Sequence, residues 1–585
     1  MLKHFYNKIK NHLPLISLLS LPAVSLFIFG LYQLTTPSPL VLGLGVISKF
    51  IVEALFILLL ISVLNILGVK NKFILAGFFF LYFALISADF VLLAYFKERF
   101  GIKYLHTMSG ANYDFIFSPT AIKLFIALGL VSYIPIKFLH KKTDKKNSLK
   151  LFIMGFVLIF IFTYFAPVKI CKNFNKIQTF YANLLLQPSP VYILQSTFDK
   201  KPDYKTYKNL KDMPKNIQNT AKKFNIFNAQ NTPQKNNQNF ERIILLTTEA
   251  MSAKFFSKYN KNIPSEASST LDYFANNYPT TILKRTTLST LYGLSVIFNS
   301  HPNVPMSTTT NYPNSFVKIL ADRGFKTTFI RGAREDYMDE DKLFKQAGFS
   351  KIYGENYFKK QKEYKDSIAF WGLTDRKLFE FTVDYLKKNK NKKTFTQILT
   401  VDTHIPLGRP DYLTQKYPEI KDEKTKKYYN KQTLVSAFHK HDYDLKLFYD
   451  SLISENILDD KTLFIITSDH PFFANAGTEK LFKPYKEIYD DVPIIFISKQ
   501  NIGKLTQQEN ISQLDIAPTI LDLLHIKIPQ GYFGKSLLDN QPRTLFDMKE
   551  SYILIKNQEN QQIIPLNTTK KDEKNIIDLI HSYME

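Results

Sequence analysis

Thr462-Leu-Phe-Ile-Ile-Thr-Ser-Asp469-His470 reads as a buried strand that ends in two metal ligands. Its β-branched and aromatic residues suit a sheet interior. A carboxylate beside an imidazole suits Zn2+, Mn2+ or a similar ion rather than Ca2+. A second apolar run, Arg242-Ile-Ile-Leu-Leu-Thr-Thr248, ends in Glu249. Between the two lies Thr286-Thr-Leu-Ser-Thr290-Leu-Tyr-Gly293-Leu294, in which hydroxyls precede an apolar helix-like segment. A carboxylate, a hydroxyl and an Asp-His pair, each leaving the end of an element, would make a metal-supported nucleophile site if the fold joins them.

From about residue 241 short β-rich runs alternate with helical periodicity. Strands are expected at 242–248, 326–331, 395–401, 462–467 and 493–498. Helices are expected at 269–277, 290–299, 314–323, 372–388, 436–454 and 512–524. That alternation predicts an α/β fold with a mostly parallel central sheet. Ligands of such sheets collect at the carboxyl ends of the strands. Glu249, Arg331, His404 and Asp469-His470 all stand at such ends.

Each residue also has an ordinary structural reading. Glu249 suits a turn, and the Thr290 region suits an N-cap cluster. As a nucleophile, Thr290 would use the same helix N-terminus, whose dipole favours an alkoxide and a phosphate. Thr287 and Ser289 compete with it on local grounds. His404, in Val401-Asp-Thr-His404-Ile-Pro406, suits a ligand, a proton donor, a phosphate contact or a structural role. Cys171 is the one cysteine, so no intrachain disulfide exists.

The first ~170 residues hold five apolar stretches, at about 13–32, 41–68, 73–96, 120–139 and 151–167. Each approaches or exceeds the ~17–25 residues that cross a bilayer as a helix. Lys3, Lys8 and Lys10 precede the first, Lys70 and Lys72 follow the second, and Lys137 to Lys150 follow the fourth. All three clusters fall on one side, which the positive-inside rule makes cytoplasmic. Residues after about 168 are then extracytoplasmic. The net charge of +25 belongs in good part to this topology, not to nucleic acid. Lys49, Glu53 and Asp89 fall within spans, as a buried ion-pair network or as a polar entry for a lipid head group. Residues 1–168 are thus expected as a five-helix membrane domain and 169–240 as amphipathic segments and a loose linker. Residues 241–545 are expected as the α/β domain and 546–585 as a peripheral segment.

The order Glu249, Thr290-x-x-Gly293-Leu294, His404, Asp469-His470 resembles the alkaline phosphatase–sulfatase superfamily. Similar stretches are Gly324-Phe-Lys-Thr-Thr-Phe-Ile-Arg331-Gly332, Gly348-Phe-Ser-Lys-Ile-Tyr353 and Trp371-Gly-Leu-Thr-Asp375. Gln513-Leu-Asp515-Ile-Ala-Pro518-Thr519 and Gly531-Tyr-Phe-Gly534-Lys-Ser complete the set. With five spans, the order looks like lipoteichoic acid synthases and bacterial phosphoglycerol transferases. The resemblance implies that Glu249, Asp469, His470 and Thr290 bind one divalent ion, Mn2+ foremost, with Zn2+ or Mg2+ as alternatives. It implies Thr290 as nucleophile, His404 at the phosphoryl or leaving group, and Asp375 and Arg331 at the head group. It implies transfer of a phospho-head-group, glycerol phosphate foremost, from a membrane phospholipid to an envelope glycan or polymer at the bacterial inner membrane. Phosphoethanolamine transfer and a non-catalytic lipid-binding role are the alternatives. No Cys/Ser-x-Pro-x-Arg motif is present, which counts against sulfate-ester hydrolysis.

Overall fold

A computed structural model describes residues 238–585 apart from 288, 303–313, 338–339, 370, 405–433, 473–490, 549–551, 559, 567 and 585. It also describes 206–207, 210–224 and positions 63, 66–67, 77 and 80–81. Two compact units divide after Lys201. Apart from those isolated positions, the five expected spans, with Lys49, Glu53 and Asp89, lie outside the described residues. Among the described residues no helix is long and apolar enough to cross a membrane.

The second unit is built on a seven-stranded sheet. Its strands are β1 (Arg242–Thr248), β2 (Thr280–Lys284), β3 (Lys326–Arg331), β4 (Lys351–Tyr353), β5 (Thr394–Leu399), β6 (Thr462–Ser468) and β7 (Asp491–Ile497). Their order is β2–β7–β6–β1–β5–β3–β4. Only β7 runs against its neighbours. The mostly parallel sheet expected from the sequence is therefore present. The periodicity misses β2, which is Thr-rich and half-buried, and β4, which is three residues long.

The central runs are continuously apolar because both faces of the sheet are covered. Ile244 and Leu246 of β1 join Ile398, Phe464 and Ile466 in one core. Ile243 and Leu245 join Phe395, Leu463 and Ile465 in another. Helices flank the sheet: α1 (Ser269–Asn277), α2 (Thr290–Asn299), α3 (Phe316–Asp322), α4 (Glu340–Gln346), α5 (Asp375–Lys388), α6 (Leu434–Ser454) and α7 (Ile516–Leu523). Phe274, Leu378 and Phe448 bring α1, α5 and α6 to the first core. Leu294, Phe316, Phe344 and Ile520 bring α2, α3, α4 and α7 to the second.

A third, smaller core lies outside the main sheet. The helix Lys215–Lys223 lies in the stretch read as amphipathic segments and a loose linker, and its Ile217 and Ala221 are buried. They pack with β8 (Leu545–Met548), β9 (Tyr552–Lys556), β10 (Gln561–Pro565) and α8 (Lys571–His581) through Phe546, Ile553, Ile564, Ile576, Leu579 and Ile580. Asn216 Nδ2 donates to Asn575 Oδ1 at 2.6 Å, and Thr206–Tyr207 pairs with Tyr583–Met584. The tail read as peripheral is thus a folded antiparallel sheet and helix. Apolar residues at i, i+3 and i+4 form narrow stripes here, and each stripe is buried only because the other exists. Val296 of α2 and Leu514 share this core, so the tail supports α2 from behind. Leu579→Ala should lower stability by about 2–5 kcal/mol in denaturant unfolding. An unchanged midpoint would show that the tail does not support the sheet domain.

Candidate metal centre

Two strand ends and one helix start converge here. Strand β1 ends at Thr248, so Glu249 leaves the carboxyl edge of the sheet. Its neighbour β6 ends at Ser468 and delivers Asp469 and His470 to the same edge. Thr290 is the first residue of α2, after the N-cap Ser289. One ligand atom from each of Glu249, Asp469 and His470 lies within 4.8 Å of the others. Thr290 Oγ1 donates to Glu249 Oε2 at 3.2 Å and lies 3.3 Å from His470 Nε2. The four residues that the sequence marked as metal ligands are together. Among the competing hydroxyls, Thr290 is the one set against Glu249 and His470, whereas Thr287 Oγ1 accepts the Ser289 N–H at 3.4 Å.

Backbone contacts fix this arrangement. Asp469 Oδ1 accepts the N–H groups of Ala250 at 3.0 Å and His470 at 2.8 Å. Ala250 adopts φ +55°, a left-handed conformation that is costly without glycine and aims its N–H at Asp469. Ser468 Oγ donates to the Thr248 carbonyl at 2.8 Å, which ties β6 to β1. Gln513 Nε2 donates to the Asp469 carbonyl at 2.7 Å, and its Oε1 accepts the Thr286 N–H at 3.2 Å. Gln513 therefore holds the segment before Thr290 against the segment that bears the ligands. Gly293 is required one turn into α2, because a Cβ there would overlap the Asp469 carbonyl oxygen.

The electrostatics fit a cation. Burial alone would raise Glu249, but the charges of His404 and His470 and hydrogen bonds outweigh it and hold the carboxyl at about 2. Burial and then the charge of Glu249 push Asp469 up to about 7. Burial disfavours a charged His470 ring, yet Asp469 and Glu249 raise it to about 9. Asp469 Oδ2 is buried without a hydrogen-bond partner, which is costly unless a cation meets it. His470 Nδ1 lies 2.9 Å from the Pro471 carbonyl, which can only accept. The Nδ1 proton is therefore fixed, and Nε2, on the Glu249 side, is the nitrogen that could hold an ion. A divalent ion fits these donors.

The remaining marked residues are placed differently from one another. His404 packs against Trp371 with ring centroids 4.2 Å apart, and its charge acts on Glu249. Arg331 is buried, paired with Glu340 and packed over Phe329 and Phe344, so its charge is already matched inside the wall. Asp375 is fully buried. One of its oxygens accepts the N–H groups of Val401 and Asp402, at 2.8 and 3.3 Å. The other meets His441 Nδ1 at 3.1 Å. Both side chains are thus engaged within the protein, and residue type and strand-end position do not reveal which way a side chain points. Sequence reasoning missed Thr400 and Thr403. Thr400 Oγ1 accepts the Glu249 N–H at 3.0 Å, and Thr403 Oγ1 donates to the Glu249 carbonyl at 2.6 Å. Only their place beside His404 at a strand end could have signalled them.

Comparison with known proteins gives the same picture. Residues 241–526 match the Sulfatase family. A lipoteichoic acid synthase from Staphylococcus saprophyticus is 24% identical over 214 residues, covering 35% of this chain and 31% of that protein. The chain therefore matches well under two thirds of that relative's length. The integral membrane lipooligosaccharide phosphoethanolamine transferase A of Neisseria meningitidis superposes with a TM-score of 0.53. It is 15% identical, covers 88% of this chain and 96% of its own, and shows the fold. A lipoteichoic acid synthase from Listeria monocytogenes gives a TM-score of 0.44 at 17% identity over 62% of this chain and 95% of its own. Residues 241–526, just under half of the chain, are thus similar to the Sulfatase family in their sequence match and in their fold.

Proposed function

We propose that the protein is a membrane phosphotransferase that moves a phospho-head-group, glycerol phosphate foremost, from a phospholipid to an envelope glycan or polymer. The observation that carries this reading is Thr290 Oγ1 at a helix N-terminus, hydrogen-bonded to Glu249 and beside His470, where Asp469 Oδ2 accepts no hydrogen bond. Glu249, Asp469, His470 and Thr290 would hold the ion. A bound dication, Mn2+ foremost, would neutralise the phosphoryl oxygens and lower the pKa of the Thr290 hydroxyl. Thr290 gives up its hydroxyl proton to solvent, and its alkoxide Oγ1 forms a bond to phosphorus as the bond from phosphorus to the diacylglycerol oxygen breaks. His404, steadied by Trp371, gives the departing oxygen its proton. An acceptor hydroxyl then displaces Thr290 Oγ1 from phosphorus, and His404 takes up the acceptor proton. The residues supply position and charge, which is what phosphoryl transfer demands.

The five apolar stretches and their lysine-bearing loops support a multi-pass protein with a cytoplasmic N-terminus and an external catalytic domain. The likeness to an integral membrane protein over 88% of this chain supports the same reading. That likeness also favours phosphoethanolamine as a second candidate head group. Full-length protein with Mn2+ and vesicles of phosphatidylglycerol should release diacylglycerol, and Thr290→Ala should lower the rate by about a thousandfold or more. Release from phosphatidylethanolamine alone would select the second head group. Release from neither lipid would overturn the transferase reading.

Metal binding should tighten as pH rises. A cation must displace the protons of His470, near pH 9, and Asp469, near pH 7, while Glu249 is already ionised. Mn2+ affinity should climb about tenfold per pH unit for each proton released, more steeply below pH 7 than above it. Calorimetric titration at several pH values measures this slope. A flat profile would contradict the ligand set.

A further inference from the structure

A second polar chain lies behind the ion site, and the mechanism above does not use it. Thr248, His441 and Asp375 are all buried. His441 Nδ1 donates to Asp375 Oδ2 at 3.1 Å, since a carboxylate accepts. His441 Nε2 is then the acceptor, and Thr248 Oγ1 donates to it at 3.0 Å. The order Thr–His–Asp resembles a nucleophilic triad, but the hydroxyl is sealed from solvent at the end of β1 and reaches no substrate. What the chain does instead follows from its two ends. Thr248 immediately precedes Glu249. Asp375 accepts the backbone N–H groups of Val401 and Asp402, and its own N–H donates to Asp402 Oδ2 at 3.0 Å, so it holds the segment that carries His404.

We propose that His441 is a positioning residue of this site. It locks the end of β1 to the loop after β5 and so sets Glu249 relative to His404. The inference rests on the transferase reading for its effect on turnover, but not for its effect on ion binding. Helix α6 supplies a rigid support, because Leu445, Phe448 and Leu452 on it are buried in the first core. Contacts behind ligand residues commonly change metal affinity or activity by about 10–100-fold.

The test uses full-length His441→Phe, His441→Gln and Thr248→Val, with Mn2+ as the probe. Phe fills the space without either hydrogen bond. Gln returns an amide oxygen to accept from Thr248. Val keeps the shape of Thr248 and removes its hydroxyl. His441→Phe and Thr248→Val should weaken Mn2+ binding by about 10–100-fold and lower kcat with little change in KM, and His441→Gln should recover part of both. If His441→Phe does not fold, Thr248→Val against wild type decides the matter. Variants that melt earlier yet bind Mn2+ and turn over as wild type would reduce the chain to packing and overturn the proposal. If wild type releases no diacylglycerol, the transferase reading falls, and the Mn2+ affinities still decide the role of His441.

Discussion

Two carboxylates buried side by side are the constraint around which this domain is arranged. Glu249 and Asp469 are almost inaccessible to solvent and share one edge of the sheet. An ionised carboxylate inside a protein costs several kcal/mol unless it is matched. Backbone N–H groups match one oxygen of Asp469, and His470 faces both carboxylates. Asp469 Oδ2 accepts no hydrogen bond and meets the His470 ring at 3.5 Å. A site that leaves a buried carboxylate oxygen without a hydrogen bond in a dry interior suits a cation.

The fold explains how the chain tolerates this. Parallel strands with both faces covered leave only their ends free for chemistry, and β1 lies between β5 and β6. Hydroxyls and short loops tie these ends together: Ser468 to Thr248, Thr400 and Thr403 to Glu249, Gln513 to the approach to Thr290. Each contact is neutral, short-range and buried, so it fixes geometry without adding charge. The small C-terminal core extends the support to the far side of α2 through Val296. Thr290 thus stands on a helix held at both ends.

What the sequence could reveal depended on distance along the chain. Glu249 and Asp469-His470 were legible because the strand that positions each one ends at that residue. Thr290 was legible because hydroxyls followed by an apolar run mark a helix start, although only the fold separates it from Thr287 and Ser289. His441 was not legible, because its partner Thr248 is 193 residues away and nothing local marks the contact. The surroundings of Arg331 and Asp375 were not legible either, since their partners are Glu340 and His441. The helix Lys215–Lys223 was hidden by its lysine and asparagine content, since only Ile217 and Ala221 are buried. The motifs around Asp515 and Gly534 are structural here: Asp515 pairs with Arg543 at 3.1 Å, and a side chain at position 534 would overlap the Leu514 carbonyl.

The central claim is that Thr290 carries the phospho-head-group between donor and acceptor. The most direct measurement is mass spectrometry of the Thr290 peptide after the protein is incubated with phosphatidylglycerol and Mn2+ and quenched in acid. The account predicts a glycerophosphate adduct on Thr290 that disappears when an acceptor hydroxyl is supplied. Turnover with an unmodified Thr290, or an adduct on another residue, would contradict it.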